Sequence, residues 1–235
     1  MTLIFLTETA VVAAEIDAGG VPSGPRITAE AFVLIEGSSG QVLFQKNADQ
    51  PRPPASTTKI VTALIALERG ELDDPVRIGP RVVRTGGSTL GLKQGQVYPL
   101  GELLEGALVR SGNDACVAIG EYIGENEPCF IQLMNQKVLA LGARNSFFCN
   151  TNGLPADGHY SSAYDLAIIA RYALRNLEFA RIVRSQFETI SLAAPEGSDE
   201  NTKQKGFTVK NTNALLWSFP GADGVKTGTT RAAGS

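Results

Sequence analysis

The sequence contains a single histidine, His159, among 235 residues. A Ser-His-Asp hydrolase needs an imidazole base, so only this position could supply one, and no Gly-x-Ser-x-Gly turn accompanies it. Cysteine is almost as scarce. Cys116, Cys129 and Cys149 lie far apart and form no C-x-x-C pair; with one histidine this argues against a structural zinc site or any other metal site. The three read as small buried hydrophobes, with one disulfide and a leftover thiol as the lesser alternative. No basic run occurs and the net charge is −3, which argues against nucleic acid as a partner. No apolar stretch is long enough to span a bilayer. Neither a Gly-x-x-x-x-Gly-Lys loop nor a Gly-x-Gly-x-x-Gly turn is present, which argues against nucleotide chemistry, and no cofactor is implied.

What is present is ordinary globular composition, 43% hydrophobic and 19% charged, in a chain long enough for one domain with an inserted lobe. Thr2 to Ala14 is mostly apolar and ends in Val12-Ala13-Ala14, small residues of the kind that precede a secretory cut. Residues 1–14 therefore read as the rear part of a signal peptide, although the positive start is lacking and Glu8 interrupts the apolar run; an N-terminal strand or helix is the alternative. Residues 15–26, with three glycines and two prolines, read as a flexible lead-in.

Ala31–Glu36 and Gln41–Lys46 are strand-like, with Gly37-Ser38-Ser39-Gly40 as a hairpin turn. Pro53 and Pro54 stop any helix before Ala55, and an apolar helical run follows to Gly70, a C-cap. Residues 71–99 read as loops with short strands. From Leu100 three apolar stripes at helical spacing follow: Leu103, Leu104, Ala107 and Leu108; Ala115, Val117, Ala118 and Ile119; Phe130, Leu133, Met134, Val138 and Leu141. Ser161 or Ser162 caps a further helix to Leu174, and Leu177 to Val183 continues in the same style. Phe187–Leu192, Gly206–Val209 and a run starting at Gly224 are strand-like. Strands, helices, strands predicts an α+β fold with one sheet built from both ends of the chain and a helical lobe over about 78–185.

Three short signals carry chemistry. Ser56 and Lys59 stand one helical turn apart on one face, where an amine can take the proton of an otherwise weak hydroxyl nucleophile. Unpaired N–H groups of a helix start favour negative charge beside Ser56. Alone, Ser-x-x-Lys arises by chance about once in a chain of this length. Ser111-Gly112-Asn113 lies between two predicted helices and by itself is a turn. Lys226-Thr227-Gly228 lies on the last strand-like run and by itself is a strand end. Their conjunction in this order is far harder to obtain by chance.

Ser-x-x-Lys, Ser-x-Asn and Lys-Thr-Gly are the motif set of penicillin-binding proteins and serine β-lactamases. With Pro54-Ala55, Asp114-Ala115, Gly153-Leu154, the stretch His159 to Ala167 and Gly224-Val225 around them, residues 27–235 resemble a D-alanyl-D-alanine carboxypeptidase, a low-molecular-mass penicillin-binding protein. The resemblance implies a β-lactamase/transpeptidase-like fold, an antiparallel sheet flanked by helices with an inserted helical lobe. It also implies further strands and a helix after Lys-Thr-Gly, often with a β-rich domain and a membrane anchor, so the sequence reads as C-terminally truncated.

The resemblance further implies removal of the terminal D-alanine from peptidoglycan stem peptides through a Ser56 acyl-enzyme, with β-lactams as inhibitors and an exported location at the outer face of the cytoplasmic membrane, cell wall or periplasm. Membrane association would come only through the missing anchor. Ser56 is the expected nucleophile, Lys59 the base kept neutral by burial and by the Lys226 cation, and Ser111 the proton relay. Asn113, Lys226, Thr227, Gly228 and Thr229 are expected to bind substrate, and the N–H groups of Ser56 and Thr229 to form the oxyanion hole. His159 and Asp165 are expected to be structural, Asp165 through the first turn of its own helix. A β-lactamase, a transpeptidase and a non-catalytic peptidoglycan-binding fragment are the alternatives; the first needs a carboxylate to activate the deacylating water, and no loop stands out as carrying one.

Overall fold

The computed structural model describes residues 27–193 and 206–234. The expectations for 1–14 and 15–26 lie outside the described residues.

The run after Pro53-Pro54 is apolar on every side, and a helix apolar all round must be central. It is. A 3-10 turn, Ala55–Thr58, leads into α1 (Lys59–Arg69), whose residues from Lys59 to Ala66 are all buried. Around it stand α2 (Leu100–Val109), α3 (Asn113–Ile123), α4 (Glu127–Ala140), α5 (Ala163–Ala173) and α6 (Leu177–Arg184). The predicted stripes are the faces they turn inward: Leu103, Leu104, Ala107 and Leu108 on α2, Ala115 to Ile119 on α3, and Phe130, Met134 and Val138 on α4. Polar side chains set several starts. Asn126 accepts from Cys129 N–H, Ser162 from Asp165 N–H, and Asn176 from Glu178 and Phe179 N–H.

The strands form antiparallel pairs: β1 (Phe32–Ile35) with β2 (Val42–Lys46), β3 (Pro75–Arg77) with β4 (Val97–Pro99), and β5 (Phe187–Ser191) with β6 (Gly206–Lys210). The first pair closes over the predicted turn, where Glu36 accepts from the N–H and hydroxyl groups of both Ser38 and Ser39. Arg171 of α5 grips the same turn through the carbonyls of Gly37 and Ser38. The third pair lies on α2, where Glu102 accepts from Ser191 N–H and Arg181 of α6 joins Glu105 to Glu188.

The α+β class holds, but the single sheet expected from both ends does not appear among the described residues. Three two-stranded ladders stand in its place. The strand-like run expected from Gly224 forms no ladder; Gly224 to Thr229 runs as irregular chain against the turn that carries Ser56. After β6 the chain makes one short turn of helix, α7 (Leu215–Ser218), before reaching that segment.

The cysteines also differ from expectation. All three are free thiols, and only Cys116 is buried; Cys129 is exposed and Cys149 half-buried. Cys129 lies in the exposed first turn of α4, and Cys149 in a loop where its thiol reaches Asp157 O at 3.4 Å.

Gly70 ends α1 with φ −122°, extended backbone that any residue adopts. Its requirement is steric. A Cβ there would lie 2.5 Å from Leu100 Cδ2 and 2.8 Å from Ile123 Cδ1, at the junction of α1, α2 and α3. Gly70→Ala is expected to lower stability by about 1 to 3 kcal/mol, the usual cost of overpacking a filled core. Urea unfolding measures it, and an unchanged midpoint would mean that the three helices are not packed this tightly.

Candidate active site

The turn of helix that places Ser56 and Lys59 on one face brings Lys59 Nζ to 2.8 Å from Ser56 Oγ. Lys59 is fully buried, 0% exposed, and Nζ has two more acceptors, Asn113 Oδ1 at 2.7 Å and Asn152 O at 2.6 Å. Neither of those oxygens can donate a hydrogen. A neutral amine has two hydrogens and one lone pair, so it can donate to both and turn its lone pair to the Ser56 hydroxyl. The three contacts accommodate both forms: an ammonium donating to all three oxygens, or the amine donating to two and accepting from Ser56 O–H.

Burial lowers the Lys59 ammonium to about 8, although Cys116 and Asp114 act in the opposite sense. Lys226, 2% exposed, is lowered to about 7, first by burial and then by the charge of Lys59. The expectation that Lys226 is a fixed cation holding Lys59 neutral is corrected here. Burial is the leading cause for both, repulsion between two buried cations is mutual, and near neutral pH the pair does not carry two full charges. Lys226 Nζ donates only to Thr227 O, at 3.1 Å, among the described residues.

The segment carrying Lys226, Thr227, Gly228 and Thr229 reaches Ser56 by a backbone approach. A Cβ on Gly228 would lie 3.0 Å from Ser56 N and 3.2 Å from Pro54 O, so that position admits no side chain without displacement. Thr227 Oγ1 lies 2.7 Å from Thr212 Oγ1, and Asn213 Nδ2 donates to Gly224 O at 2.8 Å. Thr229 is exposed. Neither Ser56 N–H nor Thr229 N–H meets an acceptor among the described residues. Gly153, φ +88°, closes the opposite side: a Cβ there would meet Ala55 O at 1.8 Å.

Ser111 takes φ +66° just before Gly112, the N-cap of α3. A non-glycine residue held in the left-handed region marks a position that its surroundings over-determine. Ser111 is 7% exposed and its hydroxyl makes no hydrogen bond among the described residues, whereas Asn113, two residues on, bridges Lys59 and the loop between β3 and β4 through Gly86 O at 2.7 Å. Asp114 fixes that loop further. Its carboxylate accepts from the N–H groups of Leu90, Gly91 and Leu92, a role that the motif did not reveal.

Asn152 was also missed. It acts through its backbone carbonyl, for which no side-chain type is a signal; the adjacent Gly153-Leu154 pair was the only clue. The loop containing it is stitched to one face of α1 and the preceding turn. Thr62 Oγ1 donates to Thr151 O at 2.6 Å, and His159 Nε2 lies 2.9 Å from Thr58 Oγ1. His159 Nδ1 accepts from Cys149 N–H at 2.9 Å, which leaves the proton of the neutral ring on Nε2, donating to Thr58. Asp165, in the first turn of α5 beside its N-cap Ser162, also works across the fold: its carboxylate accepts from Asn145 N–H and Ser146 Oγ, both at 2.7 Å. Among the described residues no cluster of three metal-ligating side chains occurs, and no helix is long and apolar enough to cross a membrane.

Burial lowers His159 from 6.5 to about 4. Its contribution to stability is complete above 6.5, where folded and unfolded rings are both neutral, and is lost as pH falls through 4. Acid unfolding of the wild type is expected to steepen across that window, and His159→Ala to lower stability at neutral pH while flattening that part of the profile. Chemical denaturation at a series of pH values checks both; an unaltered profile would remove His159 from the role of clamp.

Residues 19–235 match the family model Peptidase_S11, D-alanyl-D-alanine carboxypeptidase. The D-alanyl-D-alanine carboxypeptidase DacF of Bacillus subtilis is 40% identical over 207 residues, covering 86% of this chain and 51% of the relative. DacA of Escherichia coli is 36% identical over 228 residues, covering 91% and 53%. The chain thus spans about half the length of these curated relatives. In structure it resembles a point mutant of the Streptomyces K15 DD-transpeptidase, with TM-score 0.82 and 31% identity over 90% of this chain and 84% of that one. It also resembles a D-alanyl-D-alanine carboxypeptidase of Mycobacterium tuberculosis, with TM-score 0.81 and 33% identity over 92% and 78%. A helix-borne Ser56–Lys59 pair, closed in by Asn113 and by the segment bearing Lys226, on a fold shared with these enzymes, places the chain in the D-alanyl-D-alanine carboxypeptidase family Peptidase_S11.

Proposed function

We propose that the protein is a serine-type D-Ala-D-Ala carboxypeptidase that removes the terminal D-alanine from peptidoglycan stem peptides. The observation that carries this reading is the 2.8 Å contact of Ser56 Oγ with a buried lysine amine whose other two bonds are to oxygens that only accept. Lys59 takes the Ser56 proton as Oγ attacks the scissile carbonyl carbon. The carbonyl oxygen gains the negative charge and meets the N–H groups of Ser56 and Thr229; loss of one such donor in related chemistry costs about 3 kcal/mol. Ser111, whose hydroxyl has no other partner among the described residues, passes the proton to the amine of the departing D-alanine. Asn113 holds the substrate amide, and Lys226 with Thr227 receives the terminal carboxylate, Gly228 leaving the space for it. Water then hydrolyses the acyl-enzyme and restores Ser56. A β-lactam enters the same path and leaves an adduct on Ser56 that clears slowly.

This reading makes the protein exported, acting on peptidoglycan outside the cytoplasmic membrane. A β-lactamase is the weaker reading, because no carboxylate hydrogen-bonds Ser56, Lys59 or Ser111 among the described residues. Asp114 is committed to the loop N–H groups, and Glu127 to Arg81.

Benzylpenicillin is expected to add once per chain at Ser56, read by intact mass and peptide mapping, and Ser56→Ala to abolish the adduct. An adduct retained by that variant would transfer the nucleophile elsewhere. Release of D-alanine from an acyl-D-Ala-D-Ala peptide, followed chromatographically, tests the substrate. The acylation rate is expected to rise with pH, to reach half its maximum near 8 and to level off above that, as Lys59 becomes neutral. A rate independent of pH between about 5 and about 9 would remove the neutral amine from the mechanism.

A further inference from the structure

Thr212 has no part in the mechanism above, yet its hydroxyl lies 2.7 Å from that of Thr227, the residue assigned there to the terminal carboxylate of the substrate. Neither hydroxyl has another hydrogen-bond partner among the described residues.

Thr212 is exposed, but its place is closely fixed. Its N–H donates to Val109 O, at the end of α2 and shortly before Ser111. Its neighbours on both sides are buried asparagines. Asn211 Nδ2 donates to Val183 O at 3.3 Å and Ser185 O at 2.8 Å, at the end of α6, and Asn211 Oδ1 accepts from Asn213 N–H. Asn213 Nδ2 donates to Gly224 O at 2.8 Å, on the segment that carries Thr227. Thr212 is thus tied by its backbone to the helix leading to Ser111, and by its hydroxyl to the opposite side of the site.

A pair of hydroxyls at this distance shares one hydrogen between the oxygens and leaves the other hydrogen free. Which one is free follows from the surroundings. Thr212 lines a cavity of about 520 Å³ beside β6, together with Arg110 and Lys210 and with no acidic residue. A hydroxyl dipole beside positive charge turns its oxygen toward that charge and its hydrogen away. Thr212 O–H therefore donates to Thr227 Oγ1, and the hydrogen of Thr227 is the free one. A hydroxyl that accepts one hydrogen bond is a stronger donor in the next. The relay ends in a donor, which is what a carboxylate needs.

Resting on the carboxypeptidase reading, we infer that Thr212 is a positioning residue: it donates to Thr227 and thereby holds the Thr227 O–H ready for the terminal carboxylate of the substrate. Thr212 acts through Thr227 and does not itself touch the peptide.

Thr212→Val removes the hydroxyl and keeps the shape of the side chain, whereas Thr212→Ser keeps the hydroxyl. The assay is release of D-alanine from Nα,Nε-diacetyl-L-lysyl-D-Ala-D-Ala by the full chain, with active sites counted by benzylpenicillin adduct. Thr212→Val is expected to raise KM about fivefold, the scale of one neutral hydrogen bond, and to leave kcat unchanged. Thr212→Ser is expected to keep the wild-type KM. On a Thr227→Val background Thr212→Val is expected to add nothing, because the hydroxyl it acts through is already gone. A wild-type KM in Thr212→Val, a rise that Thr212→Ser shares, or the same rise repeated on the Thr227→Val background would each overturn the inference while leaving the carboxypeptidase reading intact. An adduct at Ser56 of the wild type with no D-alanine released would overturn that reading, and the inference falls with it.

Discussion

Everything in this structure arranges itself around a lysine amine placed where an ammonium is costly. Removing a charge from water without full compensation costs several kcal/mol, and the group yields by changing its protonation instead. Lys59 sits at the start of a helix that the rest of the fold encloses, with α2 to α6 standing around it. The enclosure needed for a hydrophobic core is therefore also the means by which the amine is lowered toward neutrality. Stability and reactivity have a common origin here. The apolar faces of α2, α3 and α4 that hold the helix in place also keep water from its first residue.

A buried amine also demands acceptors in fixed places, and these come from distant parts of the chain. Asn113 arrives from the start of α3 and Asn152 from the loop between α4 and α5. Each is itself held: Asn113 by Gly86, and the Asn152 loop by Thr62 and by the His159 contact to Thr58. The polar network is almost fully satisfied, as a buried network must be if it is to fix one geometry. The Ser111 hydroxyl and the N–H groups of Ser56 and Thr229 stand outside it, without a partner among the described residues.

Much of this was legible in the sequence, for identifiable reasons. Three-residue spacing on a helix dictates that Ser56 and Lys59 meet, and the apolar stripes dictated which faces of α2 to α4 turn inward. The prolines marked where α1 could begin. What was not legible falls into two kinds. Backbone groups carry no residue signature, so the Asn152 carbonyl and the loop amides held by Asp114 were invisible. Strand pairing depends on what else is in the sheet, so strand-like runs at both ends suggested one sheet where three ladders form. The charge on Lys226 was misjudged for a related reason: its burial depends on neighbours far away in sequence.

The contrast between the two halves of the site bears on how it assembles. Ser56 and Lys59 are joined by a single turn of helix, a contact that forms as soon as that helix does. Lys226 and Thr227 arrive from the far end of the described chain, without a strand ladder to guide them, and are held through side chains such as Asn213 and Thr212. Closing so long a loop comes late and depends on everything in between being in place. A partly folded chain can thus contain the Ser56–Lys59 contact without the segment bearing Lys226 and Thr227 beside it. The Ser56–Lys59 pair takes shape before the segment that completes the site around it.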